Sequence, residues 1–149
     1  MMTDTESAPN IVVDSSTEFG ARVAARLDRE RIVWPTTVDG GGTPQPSPVW
    51  FRRHDGAFLI FSRPNRPKIR NIRRNSRVSL HFNSTEIGGD ICVFTGTARV
   101  EDAGVDQAEV DAYLDKYTER LASLSMTREQ FLSDYSLPLR IIPDRLRGF

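Results

Sequence analysis

Apolar and polar positions alternate along this chain in two rhythms. Over residues 16–30 the period is near 3.6. Phe19, Val23, Ala24 and Leu27 share one face, which predicts an amphipathic helix. Ser15 and Glu18 stand at capping-box spacing where it begins. From Arg31 the rhythm shortens, and Ile32, Val33, Trp34, Thr36 and Thr37 predict a strand reaching Val38. Residues 57–62, 77–83 and 91–100 predict three more strands, with Gly96 marking a bend or a close approach in the last. Helical spacing returns after Gly104, where Val105, Ala108, Val110, Ala112, Tyr113, Tyr117 and Leu121 predict one helix over 105–123. Thr127 and Gln130 form a second capping box, opening a short helix through Asp134. A final strand is expected from Leu137 to Ile142, broken by Pro138 and Pro143.

The punctuation between these elements is specific. Asp39 to Thr43 supplies a glycine-rich turn, and Asp55-Gly56 a tight hairpin. Pro44, Pro46 and Pro48 alternate through an extended run ending at Trp50 and Phe51. Such a run lacks ladder donors on one side, which is edge-strand behaviour, and its backbone can approach a flat ring closely. Successive hairpins flanked by helices imply a mainly β, α+β architecture, an antiparallel barrel with helical additions. The whole of residues 1–149 is expected to form one domain, with 1–13 as a loose tail.

Composition narrows the function classes. The 20 basic and 20 acidic residues cancel, which disfavours bulk attraction to nucleic acid or membrane. The single cysteine, Cys92, excludes an internal disulfide and is expected to be a buried small hydrophobe. No apolar run approaches the ~20 residues of a membrane helix, and no secretory h-region opens the chain, so a cytoplasmic location is expected.

Against this neutral background, residues 62–77 hold seven basic side chains and no acidic one. Asn65 is expected to cap a short helix with Pro67 in its first turn, placing Arg66 and Lys68 at its N-terminus. Arg66, Arg70 and Arg74 share one face, while Ile69 and Ile72 face inward. A helix N-terminus with such flanks suits a phosphate, and a solvated basic face is the plainer alternative. Lys68 is expected to face solvent. The acidic residues of 101–119 are expected to be a solvated face, and substituting Lys116 there is expected to do nothing. His54 and His81 stand apart, no metal-ligand spacing or nucleophile motif occurs, and no catalytic side chain is assigned. An anion cradle without acid–base machinery points to chemistry carried by a bound redox cofactor.

Two segments carry a family resemblance: Ser47-Pro48-Val49-Trp50, and Ser62-Arg63-Pro64-Asn65-Arg66-Pro67-Lys68-Ile69-Arg70-Asn71-Ile72. With Val93, Gly96 and Ala98, they resemble the FMN-binding, pyridoxamine 5′-phosphate oxidase-like split β-barrels. Within these the sequence is most similar to the flavin/deazaflavin oxidoreductases of the B group, which use coenzyme F420. The resemblance implies a homodimer with a cofactor in each cleft between protomers. It implies that Arg66, Lys68 and Asn71 hold the cofactor's phosphate region, beside Ser62, Arg63, Pro64 and Pro67. The ring would rest against the backbone of Ser47 to Trp50, near Phe61. The expected activity is hydride transfer from reduced F420 to an unsaturated small-molecule acceptor. The alternatives are an FMN-dependent oxidoreductase, a non-catalytic cofactor-binding protein, and a nucleic-acid-binding barrel using Trp50 and Phe61 as stacking platforms. A dimer is further expected because Trp34, Trp50, Phe61 and Phe82 exceed what one small barrel covers.

Overall fold

The computed structural model describes residues 12–149. In chain order the elements are α1 (Glu18–Arg29), β1 (Trp34–Val38), β2 (Pro44–Pro46), β3 (Arg52–His54), β4 (Ala57–Ser62), α2 (Pro67–Arg74), β5 (Arg77–His81) and β6 (Cys92–Val100). These are followed by α3 (Gln107–Lys116), α4 (Thr118–Ser123), α5 (Arg128–Asp134) and β7 (Leu137–Gly148). The seven strands form one antiparallel sheet in the order β2-β1-β5-β6-β7-β4-β3.

The two edge strands, β2 and β3, belong to one extended run, residues 44–54. Its first part pairs with β1 and its last part with β4. Between them Val33 and Val49 exchange backbone hydrogen bonds of 3.0 and 2.9 Å, and the Ser47 N–H donates to the Pro35 carbonyl at 3.1 Å. One run therefore joins both edges and closes the sheet into a barrel. The closure is incomplete: β3 follows β4 only as far as Leu59, so residues 60–62 of β4 pair with β7 alone. The barrel splits there.

Strand β4 is buried along its whole length, because both of its faces are covered. Phe58 and Ile60 point into the barrel with Phe51, Val78, Leu80, Phe82 and Phe94. Leu59 and Phe61 point outward, beneath Tyr113, Leu114, Tyr117, Leu121 and Phe131 of the helical segment. The period of two thus divides one apolar strand between two cores. Each such side chain contributes roughly 1.5–3 kcal/mol on burial. Of the aromatic surface that implied a partner, Phe61 (7% exposed) and Phe82 (4%) are covered within the chain, while Trp34 and Trp50 stay partly exposed.

Several local expectations shift by a residue or a turn. Thr17, not Ser15, caps α1, accepting from the Gly20 N–H at 2.9 Å. Gly20 is required there, since a Cβ would lie 1.8 Å from the Asp14 carbonyl oxygen. The N-cap of α2 is Arg66 rather than Asn65, and no side chain caps that turn. The expected helix over 105–123 divides at Tyr117 into α3 and α4. The Thr127–Gln130 capping box forms as expected. Strand β7 runs unbroken through Pro143, because a register shift between Thr95 and Gly96 accommodates it. Of the expected tail, residues 1–11 lie outside the described residues, while Val12 and Val13 pack against the barrel core. Cys92 is buried, and burial pushes its thiol up to about 12, so it stays protonated and inert.

Gly96 is the site of a close backbone approach. A Cβ there would stand 2.3 Å from the Ile142 carbonyl oxygen and 2.7 Å from the Pro143 Cα, and backbone cannot step aside. Gly96→Ala is expected to cost about 1–3 kcal/mol, read as a lower urea midpoint against the parent chain.

Candidate functional site

A cavity of about 370 Å³ occupies the split. Its barrel-side wall comes from Ile32 and from Pro48 to Trp50, where the proline-rich run leaves β4, and from Phe61 and Ser62 on β4 itself. Arg63, Arg66 and Lys68, on the turn into α2, form a basic wall. The helical segment supplies Tyr113, Leu124, Met126, Phe131 and Tyr135. Among the described residues, no carboxylate, histidine or cysteine lines it.

The aromatic wall is ordered by stacking. Trp50 lies parallel to Tyr117, with centroids 4.4 Å apart, and to Phe131 at 5.4 Å. Phe131 in turn stacks on Tyr135 at 4.8 Å, and the Arg63 guanidinium lies over the Tyr135 ring at 5.1 Å. A column of four rings therefore runs from the start of α4 past the barrel rim to the basic turn. Such contacts are each worth about 0.5–1.5 kcal/mol beyond area, so they hold the helices against the barrel.

Tyr117 fixes the proline-rich wall. Its hydroxyl accepts from the Phe51 N–H at 2.8 Å and donates to the Arg31 carbonyl at 2.8 Å. Lys116 donates to the Phe51 carbonyl at 2.7 Å, with its ammonium 3.8 Å from the centre of the Phe51 ring. Lys116 is therefore part of this clamp and not a bystander on an acidic helix. Nor are the neighbouring acids all solvated. Glu109 is 8% exposed and meets Arg140 through two bonds of 2.9 and 3.2 Å, and Arg140 also reaches Glu101 at 2.7 Å.

On the basic side, two of the seven cations are neutralised: Arg73 by Asp102 at 2.8 Å and Arg77 by Asp144 at 2.6 Å. Arg63, Arg66, Lys68, Arg70 and Arg74 have no carboxylate partner among the described residues. Lys68 is half-buried rather than solvent-facing. Burial, and then the charge of Arg66, pull its ammonium below the usual lysine range. A desolvated cation beside like charge is stabilised by an incoming anion. In the first turn of α2 Pro67 has no N–H and the Ile69 N–H donates to the Arg66 carbonyl at 3.0 Å, so with no side-chain cap the Lys68 N–H is the donor left for one.

Of the residues singled out from sequence, Pro48, Val49, Trp50, Phe61, Ser62, Arg63, Arg66 and Lys68 meet in this cavity. Pro64 lines an adjoining hollow of about 420 Å³ with Asn65 and Asp134. Ser47 and Pro67 lie outside the lining, Ser47 being bonded to Pro35 and Pro67 forming the first turn of α2. Asn71 is 4% exposed; its amide donates to Thr37 and its carbonyl accepts from Arg74, so its side chain is engaged within the fold. Tyr113, Phe131 and Tyr135 escaped the sequence reading. Their signal was the i,i+4 spacing of Tyr113 with Tyr117 and of Phe131 with Tyr135.

The nucleic-acid alternative loses its platforms here. Phe61 is buried edge-on against Tyr113 at 4.7 Å, and Trp50 is already stacked within the column. What remains is a compartment with an apolar, aromatic end and an anion-attracting end. It suits a planar ring carrying a phosphorylated or acidic tail.

Residues 19–141 match the family model of pyridoxamine 5′-phosphate oxidase, and the chain belongs to that family. Solved structures share the fold. General stress protein 26 from Bacillus anthracis is 17% identical, with a TM-score of 0.65, over 85% of this chain and 89% of that one. HutZ, the haem storage protein of Vibrio cholerae, is 15% identical, with a TM-score of 0.66, over 89% of this chain and 95% of that one. A conserved hypothetical protein from Mycobacterium tuberculosis is 19% identical, with a TM-score of 0.63, over 88% and 82% of the two chains. No curated protein matches the sequence. No helix of the described residues is long and apolar enough to cross a membrane.

The clamp has a pH signature. Burial lowers the Lys116 ammonium to about 8. Between that value and the ordinary lysine range the unfolded chain binds more protons than the folded one, so stability rises with pH across this window. The urea midpoint of the parent is expected to gain on that of Lys116→Met between pH 7 and pH 10. A constant difference would show that the amine titrates normally.

Proposed function

We propose that the cavity binds a deazaflavin of the coenzyme F420 type and that the protein is an F420-dependent reductase acting on an unsaturated organic acceptor. The observation that supports this most directly is a row of five cations without carboxylate partners among the described residues, three of which, Arg63, Arg66 and Lys68, line an otherwise largely aromatic cavity. A single phosphate requires fewer charges; a phosphodiester followed by several carboxylates matches a row of them. Arg66 and Lys68, with the Lys68 backbone N–H, would hold the phosphate region. Arg70 and Arg74 continue the exposed face of the same helix, where an acidic tail can lie. The apolar wall of Pro48, Val49 and Trp50 would receive the ring.

When bound, the deazaflavin supplies the hydride. The protein's own work is to orient the ring, exclude water and place the acceptor beside it. With no carboxylate, histidine or cysteine in the lining, no side chain is proposed as a covalent catalyst.

FMN is the second reading, since it shares the flat ring and the anionic end. Haem storage, the role that HutZ carries in its name, is less well supported by the donors present. His54 and His81 are absent from the lining, and they engage Asp55 and the Phe82 carbonyl respectively. We further propose that the chain forms one split-barrel domain, works in the cytoplasm and pairs as a homodimer around the cofactor. Family membership supports the pairing, and sedimentation at micromolar concentration should give the mass of two chains.

Titrating the purified protein with F420 and with FMN, followed by fluorescence, tests the cofactor. F420 is expected to bind more tightly; micromolar FMN binding with no detectable F420 binding would reverse the assignment. Lys68→Ala is expected to weaken F420 binding by about 10- to 150-fold, through loss of one charge-assisted hydrogen bond. Arg73→Ala, on the same helix but paired with Asp102, should leave affinity unchanged.

A further inference from the structure

One side chain in this cavity is left without the bond its chemistry demands. Tyr113 is fully buried, and its hydroxyl has no hydrogen-bond partner among the described residues. The Phe61 backbone lies beside the oxygen without completing a hydrogen bond. Buried hydroxyls are almost always satisfied, because leaving one unpaired forfeits its hydration with nothing in return. Phenylalanine would fill the same space without that cost. Tyr113 also lines the cavity at its aromatic end, with its ring against Phe61 at 4.7 Å, Tyr117 at 5.3 Å and Phe131 at 6.2 Å.

We infer that Tyr113 is a ligand-binding residue whose hydroxyl donates a hydrogen bond to a carbonyl oxygen of the planar ring held in this cavity. The inference rests on the proposed ring site. Two features select a neutral carbonyl rather than the anionic tail. The rings packed on Tyr113 belong to Phe61, Tyr117 and Phe131, and no Lys or Arg among the described residues lies over its own ring. Burial raises its ionisation well above the usual tyrosine range, so at every working pH it keeps its proton and acts as a donor. Since the hydroxyl is sealed in the free protein, reaching it requires a wall residue to yield. The wall includes Met126, an unbranched side chain that repacks at little cost.

The test is Tyr113→Phe, read in three ways with F420 and FMN as probes. In the free protein the melting temperature is expected to hold or rise, because an unsatisfied hydroxyl is removed without opening a cavity. Affinity for whichever probe the parent binds should fall roughly 3- to 12-fold, the loss of one neutral hydrogen bond. The absorption band of the bound ring should move relative to the parent complex, since a donor on a ring carbonyl perturbs its electronic transition. A fall in melting temperature of more than about 3 °C would overturn the inference, because it would mean that the hydroxyl already has a partner in the free protein. Unchanged affinity and spectrum would overturn it too, while leaving the ring site standing. If the parent binds neither probe, the ring site fails and the inference falls with it.

Discussion

Everything in this molecule depends on β4 having to bury both of its faces. An antiparallel strand with one wet face alternates polar and apolar residues; Ala57-Phe58-Leu59-Ile60-Phe61 does not. The barrel interior takes Phe58 and Ile60, and a second layer must take Leu59 and Phe61. That layer is the helical segment 107–134, inserted between β6 and β7 and folded back over the outside of β4. Without it, Leu59, Phe61 and their helical partners would stand in water, a loss of several kcal/mol against a typical domain stability of about 5–15 kcal/mol.

The cavity is a by-product of the same constraint. The proline-rich run can pair with β1 at one end and β4 at the other, but it cannot follow β4 to its end. It joins β4 only from Arg52 onward and stands away from it up to Phe51, which Tyr117 and Lys116 pin. The space left between the run, the last residues of β4 and the helical layer is walled by rings on one side. On the other side it opens at the start of α2, where cations outnumber their counter-charges. A scaffold that is rigid where strands pair and open where they part is a common origin of ligand sites. The chemistry of this one is set by which side chains face the gap, not by the barrel itself.

Much of this was legible from the sequence. The strand periods, the Asp55-Gly56 turn, the edge character of the prolines and the density of charge in 62–77 are local properties, and each appears in the structure. The basic wall and the Ser47–Trp50 segment were named from sequence, and eight of the twelve singled-out residues, Ser47 not among them, meet in the cavity. What the sequence did not reveal shares a cause. The Asn71 amide donates to Thr37, 34 positions away, a partner that no local pattern announces. Lys116 and Glu109 looked like a solvated face, but the Phe51 carbonyl binds Lys116 and Arg140 of β7 binds the buried Glu109. Tyr113 was legible only as part of a helical period, and Phe131 and Tyr135 were not singled out, because nothing local reveals that their helices return to the barrel rim.

The sequence by itself determined the elements, their turns and the place where positive charge is concentrated, because periodicity, backbone conformation and charge density are properties of neighbouring residues. Tertiary structure alone decided which cations keep their charge free, which tyrosine is bonded and which is left unpaired, and where the barrel opens. Those outcomes depend on partners far apart along the chain. A hydrogen bond or an ion pair forms only where folding brings a donor and an acceptor within about 3 Å.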